Sequence, residues 1–101
     1  MASVSAVVEP DKLDPDSLRN MLETEGCGSV ISFVGLTRGV DQGVEVQHLE
    51  FDAWEEQLPS VLQSLCFDAL ERFSVKSIVM AHRTGSVEPQ EPIVCIHVGS
   101  V

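Results

Sequence analysis

A chain of 101 residues, 44% of them hydrophobic, is long enough for one domain, residues 1–101, with a modest core. Its formal net charge of −10 excludes nucleic acid and anionic membrane surfaces as natural partners, because both demand a basic face. No apolar run approaches membrane-spanning length, and Met1-Ala2-Ser3-Val4 does not open a secretory signal. Cys27, Cys66 and Cys95 are odd in number and widely spaced. That fits neither a disulfide framework nor a metal site, so they are expected to be reduced and mostly buried in a cytoplasmic protein without metal or cofactor.

Ser3 to Val8 is apolar enough for a first strand. Asp14-Pro15 then opens a helix: aspartate caps the free amides and proline suits the first helical position. Leu18, Met21 and Leu22 share a face, and Gly26 is expected to stop the helix. A buried strand follows from Gly28 to Val34. Asp41-Gln42-Gly43 reads as a loop, and Val44, Val46 and His48 alternate with Glu45 and Gln47 as in a half-buried strand. The apolar parity then passes to Leu49 and Phe51, which a bulge near His48-Leu49 explains.

The clearest helix spans Glu55 to Phe73. Leu58, Val61, Leu62, Leu65, Cys66, Ala69, Leu70 and Phe73 form one stripe, and Pro59 fits only in the first turn. A strand from Lys76 to His82, a polar connection from Gly85 to Pro92 and a last strand from Ile93 to Val98 complete the order β-α-β-β-α-β-β. The expected class is α/β (α+β): two helices on a mixed, largely antiparallel sheet. The last strand is apolar enough to be central, yet the chain stops at Gly99-Ser100-Val101, so a further C-terminal segment is expected.

One stretch concentrates chemistry. Gly28-Ser29-Val30-Ile31-Ser32-Phe33-Val34 runs into Gly35-Leu36-Thr37-Arg38-Gly39. The chain holds only six lysines and arginines, and Arg38 stands where a guanidinium can grip an anion in two-pronged fashion. Gly35 and Gly39 are expected to give this loop its freedom and allow a ligand near the backbone. A hairpin turn with a solvated arginine is the plainer alternative. His82-Arg83 reads as a strand end before a turn at Gly85, with Arg83 near a carboxylate. Cys27 reads as structural, although a persulfide carrier is conceivable chemistry. Phe33, Phe51 and Trp54 read as core, with a dimer contact as the second role for Trp54.

Four blocks in order resemble the large, catalytic subunit family of molybdopterin synthase. They are Gly28 to Arg38, Leu49-Glu50-Phe51-Asp52-Ala53-Trp54, His82-Arg83-Thr84-Gly85, and Glu91-Pro92-Ile93-Val94-Cys95-Ile96-His97-Val98-Gly99-Ser100. The resemblance implies an α/β-hammerhead-like fold and a place in molybdenum-cofactor biosynthesis. In that family, cyclic pyranopterin monophosphate becomes molybdopterin. Its sulfur comes from a thiocarboxylate on the C-terminal Gly-Gly tail of a small ubiquitin-like subunit, within a heterotetramer built on a dimer of large subunits. Leu36, Thr37 and Arg38 match the family's substrate-contacting loop, which implies that Arg38 holds the substrate phosphate or the partner's terminal carboxyl and acts in catalysis.

The resemblance also marks departures. The family's next site, a His-Arg pair after the last strand, and its catalytic lysines would all fall beyond Val101. Lys12 and Lys76 lie outside the matching blocks, which gives a physical ground for an inactive 101-residue form. A non-catalytic dimeric module that docks a ubiquitin-like sulfur carrier is therefore the second expectation. Gln90 and Pro92 stand in a turn where the family usually has glycine and an ordinary residue, and His97 occupies a strand position that is often small.

Overall fold

The computed structural model describes residues 3–38, 40–41, 44–45, 49–51 and 57–101, of which 40–51 are described by their strands alone. Four strands form the main sheet: β1 (Ser3–Glu9), β2 (Ser29–Leu36), β6 (Val75–Arg83) and β8 (Pro92–Ser100), in the spatial order β1-β6-β8-β2. β1 pairs with β6 in parallel, and the other two pairings are antiparallel. The small strands β3 (Val40–Asp41) and β4 (Val44–Glu45) pair with each other, and β5 (Leu49–Phe51) pairs with β7 (Gly85–Val87).

Helix α1 (Pro15–Asn20) lies against β8 and β6, whereas α2 (Leu58–Arg72) lies against β1 and β6. Strand alternation decides what each covers. Val79, Ala81 and Cys95 point to one face and meet Leu13, Leu18 and Leu22, with Val7 at the margin. Ile78, one residue out of phase, is buried on the other face. β6 is thus covered on both sides.

Helix α1 starts as its sequence dictates. Asp14 accepts hydrogen bonds from the backbone N–H of Asp16 and Ser17, and Pro15 occupies the first turn. It stops after Asn20 rather than at Gly26, because Met21 N–H turns back to the Leu18 carbonyl and ends the ladder. Gly26 serves instead as a left-handed turn residue, φ 79°. Met21 is exposed; Leu18 and Leu22 carry the buried face.

Helix α2 begins at Leu58, with Pro59 in its first turn. Its buried residues are Leu58, Leu62 and Cys66, a narrow i, i+4, i+8 line, while Leu65 and Phe73 are exposed. The broad stripe expected from the sequence narrows because a helix resting on two strands buries only its innermost row.

The largest departure concerns β2. It is the edge strand, and its side chains are mostly exposed, including Ile31 at 70% and Phe33 at 56%. An apolar composition does not by itself make a strand central; β8 takes that place between β6 and β2. Phe33 is therefore not a core residue. The expected polar connection after Arg83 contains a further strand, β7, which the turn at Gly85 (φ 75°) makes possible. Residues 46–48, with the bulge expected there, lie outside the described residues, as do Gly39, Gln42, Gly43 and Trp54.

Candidate functional site

The loop Leu36-Thr37-Arg38 leaves the sheet at the end of β2. The β2–β8 register shifts between Gly35 and Leu36, so Leu36 stands opposite Pro92. Gly35 does not carry a positive φ. Its role is close approach, since a Cβ there would come 2.7 Å from Val94 Cγ1. The freedom expected at Gly35 is thus a packing need.

Thr37 is held by its backbone on both sides. Its N–H donates to the Glu91 carbonyl at 3.0 Å, and its own carbonyl accepts the Gln90 N–H at 2.7 Å. Its side chain is 1% exposed, and Oγ1 has no partner among the described residues. Arg38 follows immediately and is exposed. A buried, doubly tethered threonine next to an exposed arginine sets the base of that arginine firmly. The three residues singled out in the sequence therefore share one loop, with Leu36 exposed, Thr37 buried and Arg38 exposed.

Sequence reasoning placed Gln90 in a turn and missed that this turn holds the loop. Gln90 has φ 71°, the one positive φ of a non-glycine residue among those described. Beside it, Glu91 Oε2 lies 3.5 Å from Nη1 of Arg83, and Arg83 Nη2 donates to the Ser86 carbonyl at 2.8 Å. Arg83 is 5% exposed, so the His82-Arg83 strand end buries its arginine beside Glu91. The usable signal was the glutamine where a glycine is usual. A side chain is disfavoured there because the backbone is left-handed.

The remaining candidates lie away from this loop or beneath it in the sheet. His82 Nδ1 lies 2.6 Å from the Arg83 carbonyl. His97 is buried with Nδ1 2.7 Å from Ser32 Oγ. The Cys27 thiol points at the Glu23 carbonyl, 3.8 Å away. Cys66 and Cys95 are buried, and burial pushes both thiols up, with the Asp14 charge adding to the effect at Cys95. Among the described residues, no three His, Cys, Asp or Glu side chains cluster as metal ligands, and no helix is long and apolar enough to cross a membrane.

The family model described as MoaE protein matches residues 8–101. The chain belongs to the MoaE family. It is 32% identical over 94 residues to a molybdopterin synthase catalytic subunit of Taeniopygia guttata, covering 92% of this chain and 61% of that protein. It is 31% identical over 90 residues to the Homo sapiens catalytic subunit, covering 89% and 48% respectively. The chain thus spans about half to three-fifths of the length of these curated relatives.

Solved structures agree on the fold. The MoaE protein of Burkholderia ambifaria superposes with TM-score 0.74 at 21% identity, over 99% of this chain and 65% of that one. Molybdopterin synthase from Staphylococcus aureus gives 0.71 at 24%, over 99% and 72%. A Helicobacter pylori complex of subunits 1 and 2 of molybdopterin-converting factor gives 0.69 at 22%, over 94% and 64%. The MoaE fold and the mixed, largely antiparallel sheet with its two helices are therefore shared.

Proposed function

We propose that this chain works in molybdenum-cofactor biosynthesis as the large subunit of molybdopterin synthase, in the cytoplasm and as part of a homodimer-based heterotetramer. Cyclic pyranopterin monophosphate is the substrate, and a small ubiquitin-like subunit with a C-terminal thiocarboxylate is the sulfur donor. Each sulfur passes from the thiocarboxylate to the pterin side chain, where a C–S bond replaces a C–O bond. The displaced oxygen leaves as water or stays on the opened phosphate ester. An oxygen from water replaces the sulfur on the partner, which ends as a carboxylate. The observation that carries this reading is the Leu36-Thr37-Arg38 loop: Thr37 is anchored by two backbone hydrogen bonds and Arg38 is exposed at the end of β2. A planar five-donor cation so placed can hold a phosphate or a terminal carboxylate and steady charge that develops during acyl-sulfur transfer. The Helicobacter pylori pair of subunits supports a small-subunit partner by analogy.

A second reading is a module that docks the sulfur carrier without chemistry, and neither lysine of these 101 residues lies beside the loop. Lys76 lies at the start of β6, at the far end of the sheet from Leu36, and Lys12 follows β1 at the opposite edge. The test incubates the protein with the precursor and thiocarboxylated partner, following pterin products by fluorescence. Dithiolene product that disappears in Arg38→Ala, with partner binding retained, supports the enzyme. Partner binding without product supports the docking module. Full turnover by Arg38→Ala removes the role given to that residue.

A further inference from the structure

We infer that Arg83 is a positioning residue that sets the Leu36-Thr37-Arg38 loop through Glu91; this rests on the reading of that loop as the anion-binding site. Arginine is seldom so buried, and a buried cation is costly unless its surroundings answer it. Here one guanidinium ties down two points of the same segment: Nη2 donates to the Ser86 carbonyl, and Nη1 faces the Glu91 carboxylate.

The Glu91 carboxylate closes the turn from the other side. Its Oε1 accepts the Glu88 N–H at 3.2 Å, and the Glu91 N–H donates to the Glu88 carbonyl at 3.1 Å. The turn so closed is the one that grips Thr37, through the Glu91 carbonyl and the Gln90 N–H. A path therefore runs from Arg83 through a 3.5 Å ion pair to Glu91, across two backbone hydrogen bonds to Thr37, and one peptide further to Arg38.

One feature separates this from a simple stabilising ion pair. Gln90 is held in left-handed backbone at the point where it meets Thr37, a conformation that persists only when its surroundings over-determine it. Arg83 acts on Arg38 only through the turn, so its effect is on the geometry of the loop.

The test is amide hydrogen exchange by NMR on the complete chain, comparing the wild type with Glu91→Gln and Arg83→Lys. Glutamine keeps the acceptor for Glu88 and removes the charge, while lysine keeps the charge and removes the fork. Both variants are expected to speed exchange at Thr37 and Gln90 by about tenfold or more relative to Val79 and Ile96 in the sheet. Equal acceleration at all four amides, no change at Thr37, or failure of both variants to fold would assign the pair to global stability and overturn the inference. A parallel titration with inorganic phosphate, read at the Arg38 side chain, keeps the two ideas apart. Selective loss of Thr37 protection with no phosphate response in the wild type leaves the mechanical link standing and removes the anion-site reading.

Discussion

Ser32 and His97 face each other across the β2–β8 pair, with Ser32 Oγ 2.7 Å from Nδ1 of a histidine that is almost wholly buried. His97 Nε2 has no partner among the described residues, so the serine is the ring's one recorded hydrogen-bond contact there. Ser32→Ala should leave both ring nitrogens unanswered. A loss of about 1–3 kcal/mol is expected, read as a lower midpoint in urea with an unchanged slope.

At Gln90 the prediction has the opposite sign. Left-handed backbone costs an L-residue about 1–2 kcal/mol, and glycine escapes that cost while giving some back in unfolded-chain entropy. Gln90→Gly should raise the thermal midpoint by a few degrees. A lower midpoint would show that the Gln90 side chain supplies more than the turn it strains.

Gly35 should tolerate no Cβ. An alanine methyl would sit 2.7 Å from Val94 Cγ1, so Gly35→Ala is expected to cost about 1–3 kcal/mol through overpacking. Val94→Ala should recover much of that loss in the double variant. A double-mutant cycle in chemical denaturation measures the coupling.

The cap of α1 predicts a pH dependence. Hydrogen bonds from the Ser17 hydroxyl and then the Ser17 N–H hold the Asp14 carboxyl below its ordinary value of 3.8, despite a small opposing effect of burial. A lowered folded-state value means that the ionised cap contributes stability above the ordinary value. That contribution is lost as the pH falls through the folded-state value. Thermal melts between about pH 5 and about pH 2.5 should therefore drop less in Asp14→Asn, which caps without titrating, than in the wild type.

The three thiols should separate by access. Cys66 and Cys95 are buried with raised thiol values, whereas Cys27 is partly exposed. Brief treatment of the folded protein with iodoacetamide should modify Cys27 alone, checked by peptide mass spectrometry, and denaturant should open the other two.

Local chemistry was legible wherever a residue's own preference decides. Asp14-Pro15 fixed the start of α1, Pro59 fixed the first turn of α2, and the run from Lys76 to His82 marked a strand. Position within the sheet was legible only in part. β8 is central, as its apolar content led one to expect, whereas β2, nearly as apolar and expected to be buried, is the exposed edge. Half of the site was legible too. Leu36, Thr37 and Arg38 are neighbours in the chain, so a motif could reveal them. Arg83, Gln90 and Glu91 reach the same loop through folding, and no spacing in the sequence encodes that meeting.

The parallel pairing of β1 with β6 has a bearing on biosynthesis. Ser3 meets Ser77, and Glu9 meets Arg83, so β1 has its neighbour only after some seventy further residues have followed. On a ribosome, Ser3–Glu9 would emerge and wait, unable to complete its edge of the sheet, while the intervening helices and hairpins took shape. Such distant closure slows folding and lengthens the interval in which a sticky N-terminal segment needs shielding.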